Sequence, residues 1–106
     1  MANVFHHFGV PTQQKSDNER YLESAKLFLT DPENHPYRIE FLRFEPDSPM
    51  PEIIQTQPHA AFLVDDLDAA IEGRNVVLEP FNPRDTLRVA FIQDGDALIE
   101  VMQTIG

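Results

Sequence analysis

The sequence predicts an α+β fold made of two similar halves in a single domain. One observation is a series of short apolar runs separated by turn residues, which is typical of strands, beside one clear amphipathic helix. The other observation is an internal repeat. His7 and His59 each begin a strand-like run, HFGVPT and HAAFLV, and an apolar strand further along each half carries Glu40 or Glu100. A length of 106 residues suits one domain with a modest core.

The first half-module, residues 1–50, is expected to be truncated. Residues 4–12 have the alternation of an opening strand. The stretch 25–30 suits either a helical stripe or a strand. A turn-rich segment and then the apolar strand 37–44 follow it, which favours a hairpin with 25–30 as its first strand. Too little sequence remains for a full helix and three strands, so the helix of this half is expected to be short or missing.

The segments around these strands are polar or rich in proline. Ser16 or Asp17 is placed to cap a short helix through Leu22. Three prolines in the window 45–51 exclude a regular helix or a central strand there, and this window is expected to join the two half-modules. Residues 53–57 suit an edge strand or a crossing segment.

The second half-module, residues 58–106, has a clearer pattern. Residues 59–64 read as a strand, and Asp65 or Asp66 then offers an N-cap for a helix that ends at Gly73. The buried stripe of this helix is Leu67, Ala70 and Ile71. The half-module is therefore expected to begin with a strand and a helix.

Three further strands complete the second half-module. Residues 75–78 start a strand, and the prolines within 80–83 are expected to turn the chain. The runs 87–93 and 97–103 predict a hairpin across Asp94-Gly95-Asp96, because Asp-Gly is a strong turn signal. The second half-module therefore reads β-α-β-β-β, and the first half reads as an eroded version of the same plan.

The repeated His and Glu predict a metal site. Imidazole nitrogen and carboxylate oxygen are the usual ligands of divalent ions where thiolates are absent, and the chain has no cysteine. The candidate ligands are His7, Glu40, His59 and Glu100, with Glu40 and Glu100 as candidate catalytic bases. Strand alternation places the candidates opposite bulky apolar residues, so one sheet face would pack on the helix and the other would line a cup. Two His and two Glu would suit Zn, Ni, Mn, Fe or Co.

Each candidate also has a simpler interpretation. A histidine in a strand is often only hydrogen-bonded, and a glutamate between apolar residues could pair with Arg43 or Arg88 instead of a metal. His6 competes with His7, but its alternation places it with the apolar residues of the opening strand, so His7 is preferred. His35 lies in a turn and is expected to be a surface residue.

Composition excludes several classes of function. A formal net charge of −10 argues against binding to nucleic acid or to an anionic membrane surface. No apolar run has the length of a membrane span, and the first residues lack the pattern of a signal peptide. Without cysteine there is neither a disulfide nor an iron–sulfur cluster. A cytoplasmic protein is the natural expectation.

Several segments resemble the vicinal oxygen chelate superfamily, which includes glyoxalase I, bleomycin and fosfomycin resistance proteins, methylmalonyl-CoA epimerase and extradiol dioxygenases. The second half resembles the family nearly end to end, and the first half does so at its opening strand and at Ile39-Glu40. The segments that carry the resemblance are HFGV at 7–10, PHAAFLVDDLDAA at 58–70, RVAFIQDG at 88–95 and LIEVMQ at 98–103.

The resemblance implies two βαβββ-type modules, here with a truncated first one, whose curved mixed sheets surround a central cup. It matches His7, Glu40, His59 and Glu100 to the glyoxalase-type set of metal ligands. The presence of Glu at position 40 argues against the dioxygenases, which use two His and one Glu as ligands. It also argues against the epimerases, which typically have Gln at that position. The short first half also lacks the long loops of glutathione-using members, which argues against a glutathione hemithioacetal substrate.

The resemblance therefore implies a metal-dependent lyase or isomerase that acts on a small oxygenated substrate by metal chelation and enolate stabilisation. The alternative is a metal-free protein of the bleomycin-resistance type that binds a small molecule. The complete ligand set favours the enzyme, because a binding protein does not need it. A homodimer is expected, since the truncated module leaves sheet edges and an apolar cup with little cover. The ligands of one site would come from one chain or from two.

Overall fold

A computed structural model of the chain describes residues 3–105. The described residues fall into two compact units, one formed by residues 7–58 and the other by residues 3–6 with residues 59–105. The regular structure of both units consists of strands and short helices, and the strand pairing is mixed parallel and antiparallel. The α+β fold class is therefore confirmed.

The first unit contains four strands that pair in the order β2-β3-β4-β1. Strand β1 runs parallel to β4, and the other neighbours are antiparallel. The opening strand, the proline-rich break and the hairpin all follow the prediction. The elements are β1 (Val4–Pro11, which enters this unit at His7), β2 (Arg20–Leu22), β3 (Leu27–Leu29), β4 (Ile39–Phe44), α1 (Glu52–Thr56) and 3₁₀ turns at Glu23–Ala25 and Pro32–Asn34.

Two local expectations for the first unit are wrong. The predicted helix ending at Leu22 is the strand β2, because this segment pairs with β3 instead of closing a helical turn. Residues 53–57, expected to form an edge strand or a crossing segment, belong mostly to the helix α1 and form no strand. Pro51 lies just before that helix, where its missing N–H costs nothing. The side-chain amide of Gln55 (Nε2) donates to the Met50 carbonyl at 2.8 Å.

The second unit has the predicted β-α-β-β-β order, and its strands pair in the order β5-β8-β7-β6. Strands β5 and β8 are parallel, whereas β8, β7 and β6 form antiparallel pairs. Asp66, one of the two predicted caps, caps the helix by accepting a hydrogen bond from the Ala69 backbone amide. The elements are β5 (His59–Leu63), α2 (Leu67–Ile71), β6 (Asn75–Arg84), β7 (Leu87–Asp94) and β8 (Ala97–Thr104).

The turn predicted at 80–83 is absent from the described second unit. Instead, β6 continues through both prolines to Arg84, and the chain turns immediately afterwards. Strand β6 is the last strand in the pairing order of this unit and has several register shifts against β7. Proline lacks an N–H to donate, and an irregular edge strand tolerates that loss.

The sheet of the second unit has a different apolar cluster on each face. On one face the fully buried Leu67 of α2 packs against Ala90 and Val101. On the other face Ala61 packs with Val89 and Met102. This alternation confirms the prediction that one face of the sheet packs on the helix. In residues 3–105, no helix is long and apolar enough to cross a membrane.

Candidate metal centre

The second unit brings His59 and Glu100 together on the sheet face that α2 does not cover. Their strands, β5 and β8, run side by side in parallel. The His59 Nε2 and Glu100 Oε1 atoms are 3.0 Å apart, and the two side chains are 1% and 12% exposed. The Phe91 ring meets the imidazole edge to face, with the ring centroids 5.0 Å apart. Packing thus fixes the orientation of His59 and excludes water from most of its ring.

The first unit brings His7 and Glu40 together in the same manner. Strands β1 and β4 are also parallel neighbours. The His7 Nε2 and Glu40 Oε1 atoms are 3.3 Å apart, and the side chains are 3% and 14% exposed. Each unit therefore holds one nearly buried imidazole beside one carboxylate that remains slightly accessible.

The two pairs have the same register on their strands. Glu100 is aligned with Ala61, two residues after His59, and Glu40 is aligned with Gly9, two residues after His7. Both aligned residues are small and buried. A larger side chain at either place would stand between the carboxylate and the imidazole on the same sheet face. Gly9 and Ala61 were not among the predicted site residues, although both follow the repeated His at the same spacing.

Distances within each pair suit two ligands of one ion. Metal bonds from His nitrogen and carboxylate oxygen are about 2.1 Å long, so adjacent ligands lie about 3.0 Å apart at a right angle and about 3.4 Å apart at a tetrahedral angle. The measured separations are 3.0 Å for His59 with Glu100 and 3.3 Å for His7 with Glu40. Donor types and spacing fit a divalent metal, and these four residues are a group that could hold one.

The arginines that offered an alternative to a metal pair with other carboxylates. Arg43 donates two hydrogen bonds to Glu19, at 2.9 and 2.8 Å, and Arg88 donates two to Asp68, at 3.1 and 3.0 Å. These bonds lower the pKa of both carboxyl groups below their ordinary values. Neither guanidinium is therefore the partner of a candidate ligand.

The remaining histidines do not join a second carboxylate cluster among the described residues. His6 is half-buried, and strand alternation turns it to the opposite side of β1 from His7. His35, which was expected to be a surface residue, is half-buried. Its Nδ1 accepts a hydrogen bond from the Tyr37 amide at 3.0 Å, and its ring lies near Phe41, so local contacts hold it against the turn.

Comparisons with known proteins give a fold without a function. No family model matches the chain, and no curated protein matches it. Among solved structures, the chain is similar to the crystal structure of hypothetical protein BH1468 from Bacillus halodurans C-125, with a TM-score of 0.74 and 19% identity. The similarity covers 100% of this chain and 97% of that chain. At this identity the likeness shows a shared fold only.

Proposed function

We propose that the chain is a glyoxalase-like member of the vicinal oxygen chelate superfamily and binds one divalent metal through His7, Glu40, His59 and Glu100. The observation that carries the proposal is the repeat of a His–Glu pair in the same strand register, with ligand-like spacing in both units. A buried His–Glu pair could form for structural reasons once. Two pairs in one register are better explained by a shared requirement for ligands.

The proposed activity is that of a metal-dependent lyase or isomerase acting on a small oxygenated substrate. When bound, a divalent ion supplies positive charge that stabilises an enolate on a substrate with two adjacent oxygens. Glu40 or Glu100 accepts the proton from the carbon beside those oxygens at a carboxylate oxygen, and later returns it. The glutamate side chains are 14% and 12% exposed, more than the histidine side chains at 3% and 1%, which supports the glutamates as the proton-transferring groups and the histidines as fixed metal ligands.

Burial also supports a division of labour between the residues. A nearly enclosed imidazole cannot swing away to shuttle a proton, but a carboxylate at the end of a longer and more flexible side chain can change its position. We therefore assign proton transfer to the glutamates and ligand orientation to the histidines. The Phe91 ring beside His59 contributes by holding the imidazole plane.

Homodimer formation is part of the proposal. In the first unit, the sheet face opposite Glu40 exposes aromatic side chains, with Phe8 at 49%, Tyr21 at 45% and Phe41 at 36%. Exposed aromatic groups on one face are typical of surfaces that associate. Each His–Glu pair lies within one unit, so a shared site would combine the first pair of one chain with the second pair of its partner.

Elemental analysis of protein purified without a His-tag tests the metal. The expected result is about one divalent ion per chain and a lower Tm after chelation, because an ion that binds only the folded state stabilises it. A metal-free protein whose Tm is unchanged by Zn, Ni, Mn or Co would contradict the proposal. That outcome would favour the metal-free binding protein.

Mixing two variants that have each lost metal binding tests whether the ligands of one site come from one chain or from two. His7→Ala damages the first pair, and Glu100→Ala damages the second. If the sites are shared between chains, a mixed dimer contains one site with both defects and one intact site, so part of the metal binding returns. If each site lies in one chain, every site in the mixture keeps a defect. A monomer by light scattering at micromolar concentration would contradict the dimer.

A further inference from the structure

A groove on the helix side of the second unit is separate from the metal centre. It has a volume of about 530 Å³, within the range of small-molecule sites. Phe62, Ile99 and Val101 line its floor. Side chains alternate along β8, so Ile99 and Val101 face away from Glu100, and the groove lies on the opposite sheet face from His59 and Glu100.

The short helix α2 explains why the groove exists. Its five residues, Leu67–Ile71, span only about 7.5 Å, which is too short to cover the sheet. Leu67 anchors the helix on Ala90 and Val101, and the small side chains of Ala69 and Ala70 form the groove wall. Part of the apolar floor is therefore left open beside the helix.

The rim of the groove is acidic. Asp65, Asp66, Glu72 and Asp94 line it with four carboxylates, and Arg74 adds one positive charge. Within residues 3–105, no ion pair is formed by Asp65, Glu72 or Asp94. An apolar floor under a negative rim suits a ligand with an apolar body and a positive end.

We propose that this groove binds a small organic cation, a primary ammonium carried on an aromatic or alkyl body. The body would cover Phe62 and Ile99, and the ammonium would lie among the carboxylates near Asp65 and Asp94. Burial of the body supplies most of the affinity, whereas the charge selects the ammonium over a neutral molecule of the same shape. Binding in this groove requires no metal at the other sheet face.

The test uses the full chain and two probes that differ in charge. 2-Phenylethylammonium is protonated at pH 7, and 2-phenylethanol is its neutral analogue. Titrations followed by amide NMR shifts should place both probes at Ile99 and Val101, with the ammonium bound about tenfold more tightly. Equal affinity for the two probes, or shifts confined to other residues, would overturn the proposal.

Variants of the groove provide matched controls. Asp94→Asn should weaken ammonium binding about two- to fivefold and leave the alcohol unaffected, whereas Asp85→Asn, an exposed carboxylate outside the groove, should change neither. Ala69→Leu should fill the groove and abolish binding of both probes; Ala69 is exposed on the helix, so the core is undisturbed.

Glu100→Gln separates the groove from the metal centre, because an amine can also ligate a metal. Groove binding should be unchanged in this variant. Loss of ammonium binding in Glu100→Gln would overturn the assignment to the groove, as would wild-type affinity in both Asp94→Asn and Ala69→Leu. If Ala69→Leu does not fold, the comparison of Asp94→Asn with Asp85→Asn still tests the proposal.

Discussion

Replacing Glu100 by glutamine should remove most of the stabilisation that a divalent metal gives. The amide has nearly the same volume as the carboxylate and can still hydrogen-bond to His59 across 3.0 Å, so the metal-free protein should fold normally. The amide lacks the negative charge with which the carboxylate attracts a divalent ion. Changes to residues that only support a ligand cost about 10- to 100-fold in metal affinity, so loss of a direct ligand should cost at least about 100-fold.

Linkage converts this affinity loss into a melting shift. At a free metal concentration 100 times the wild-type Kd, the wild-type protein gains about 2.7 kcal/mol, but a variant that binds 100-fold more weakly gains only about 0.4 kcal/mol. For a domain of this size, 1 kcal/mol corresponds to about 4–8 °C, so the metal-induced rise in Tm should fall from about 10–20 °C to about 2–3 °C. Thermal unfolding with and without metal measures both values.

Glu79→Gln is the matched control for this measurement, because it makes the same chemical change at an exposed position on β6. Its response to metal should equal that of the wild type. An undiminished rise in Tm for Glu100→Gln would refute the assignment of Glu100 as a ligand. Equal losses in the two variants would show that net charge, and not a specific site, attracts the metal.

Three further outcomes are expected from other parts of the fold. Measured by calorimetry, high-affinity metal binding should be abolished in His59→Ala and intact in His35→Ala. Loss of binding in His35→Ala but not in His59→Ala would contradict the ligand assignment. Leu67→Ala should lower the free energy of unfolding by about 3 kcal/mol in chemical denaturation, because Leu67 is fully buried, and a loss below about 1 kcal/mol would contradict its anchoring role. The hydrogen bond to Glu45 raises the pKa of Tyr21 to about 12, so with the other tyrosine replaced by phenylalanine, tyrosinate absorbance should appear near pH 12. Because the pKa of Tyr21 is higher in the folded state, its hydrogen bond to Glu45 stabilises the fold fully below the ordinary tyrosine pKa. This stabilisation is lost as the pH rises through the folded-state pKa. Glu45→Ala should move the titration to lower pH.

The second half was predictable because its local signals agree with its tertiary packing. The Asp-Gly turn, the cap at Asp66 and the stripe headed by Leu67 each specify a boundary or a face on local grounds. The strand alternation around His59 and Glu100 also predicted which side chains would face away from the helix. The pairing of these two residues follows once β5 and β8 are neighbours.

The errors arose where local signals were overridden by pairing or were too short. Proline at positions 80 and 83 signals a turn in isolation, but strand β6 has an edge position in its unit that sequence alone does not reveal. The five residues of α1 give too little periodicity to distinguish a helical turn from an edge strand. Register depends on pairing between distant segments, so the alignment of Gly9 with Glu40 and of Ala61 with Glu100 was not predictable either.

The repeat itself gives the strongest reason for combining the two pairs in one function. A single His–Glu pair provides two donors, which leaves a divalent ion mostly hydrated and weakly held. Two pairs provide four donors, and an octahedral ion then keeps two positions for exchangeable ligands. In the proposed reaction, two adjacent oxygens of the substrate would occupy those two positions. The proposal accordingly requires the same three features in each half: a His, a small residue two positions later, and a Glu aligned with that small residue.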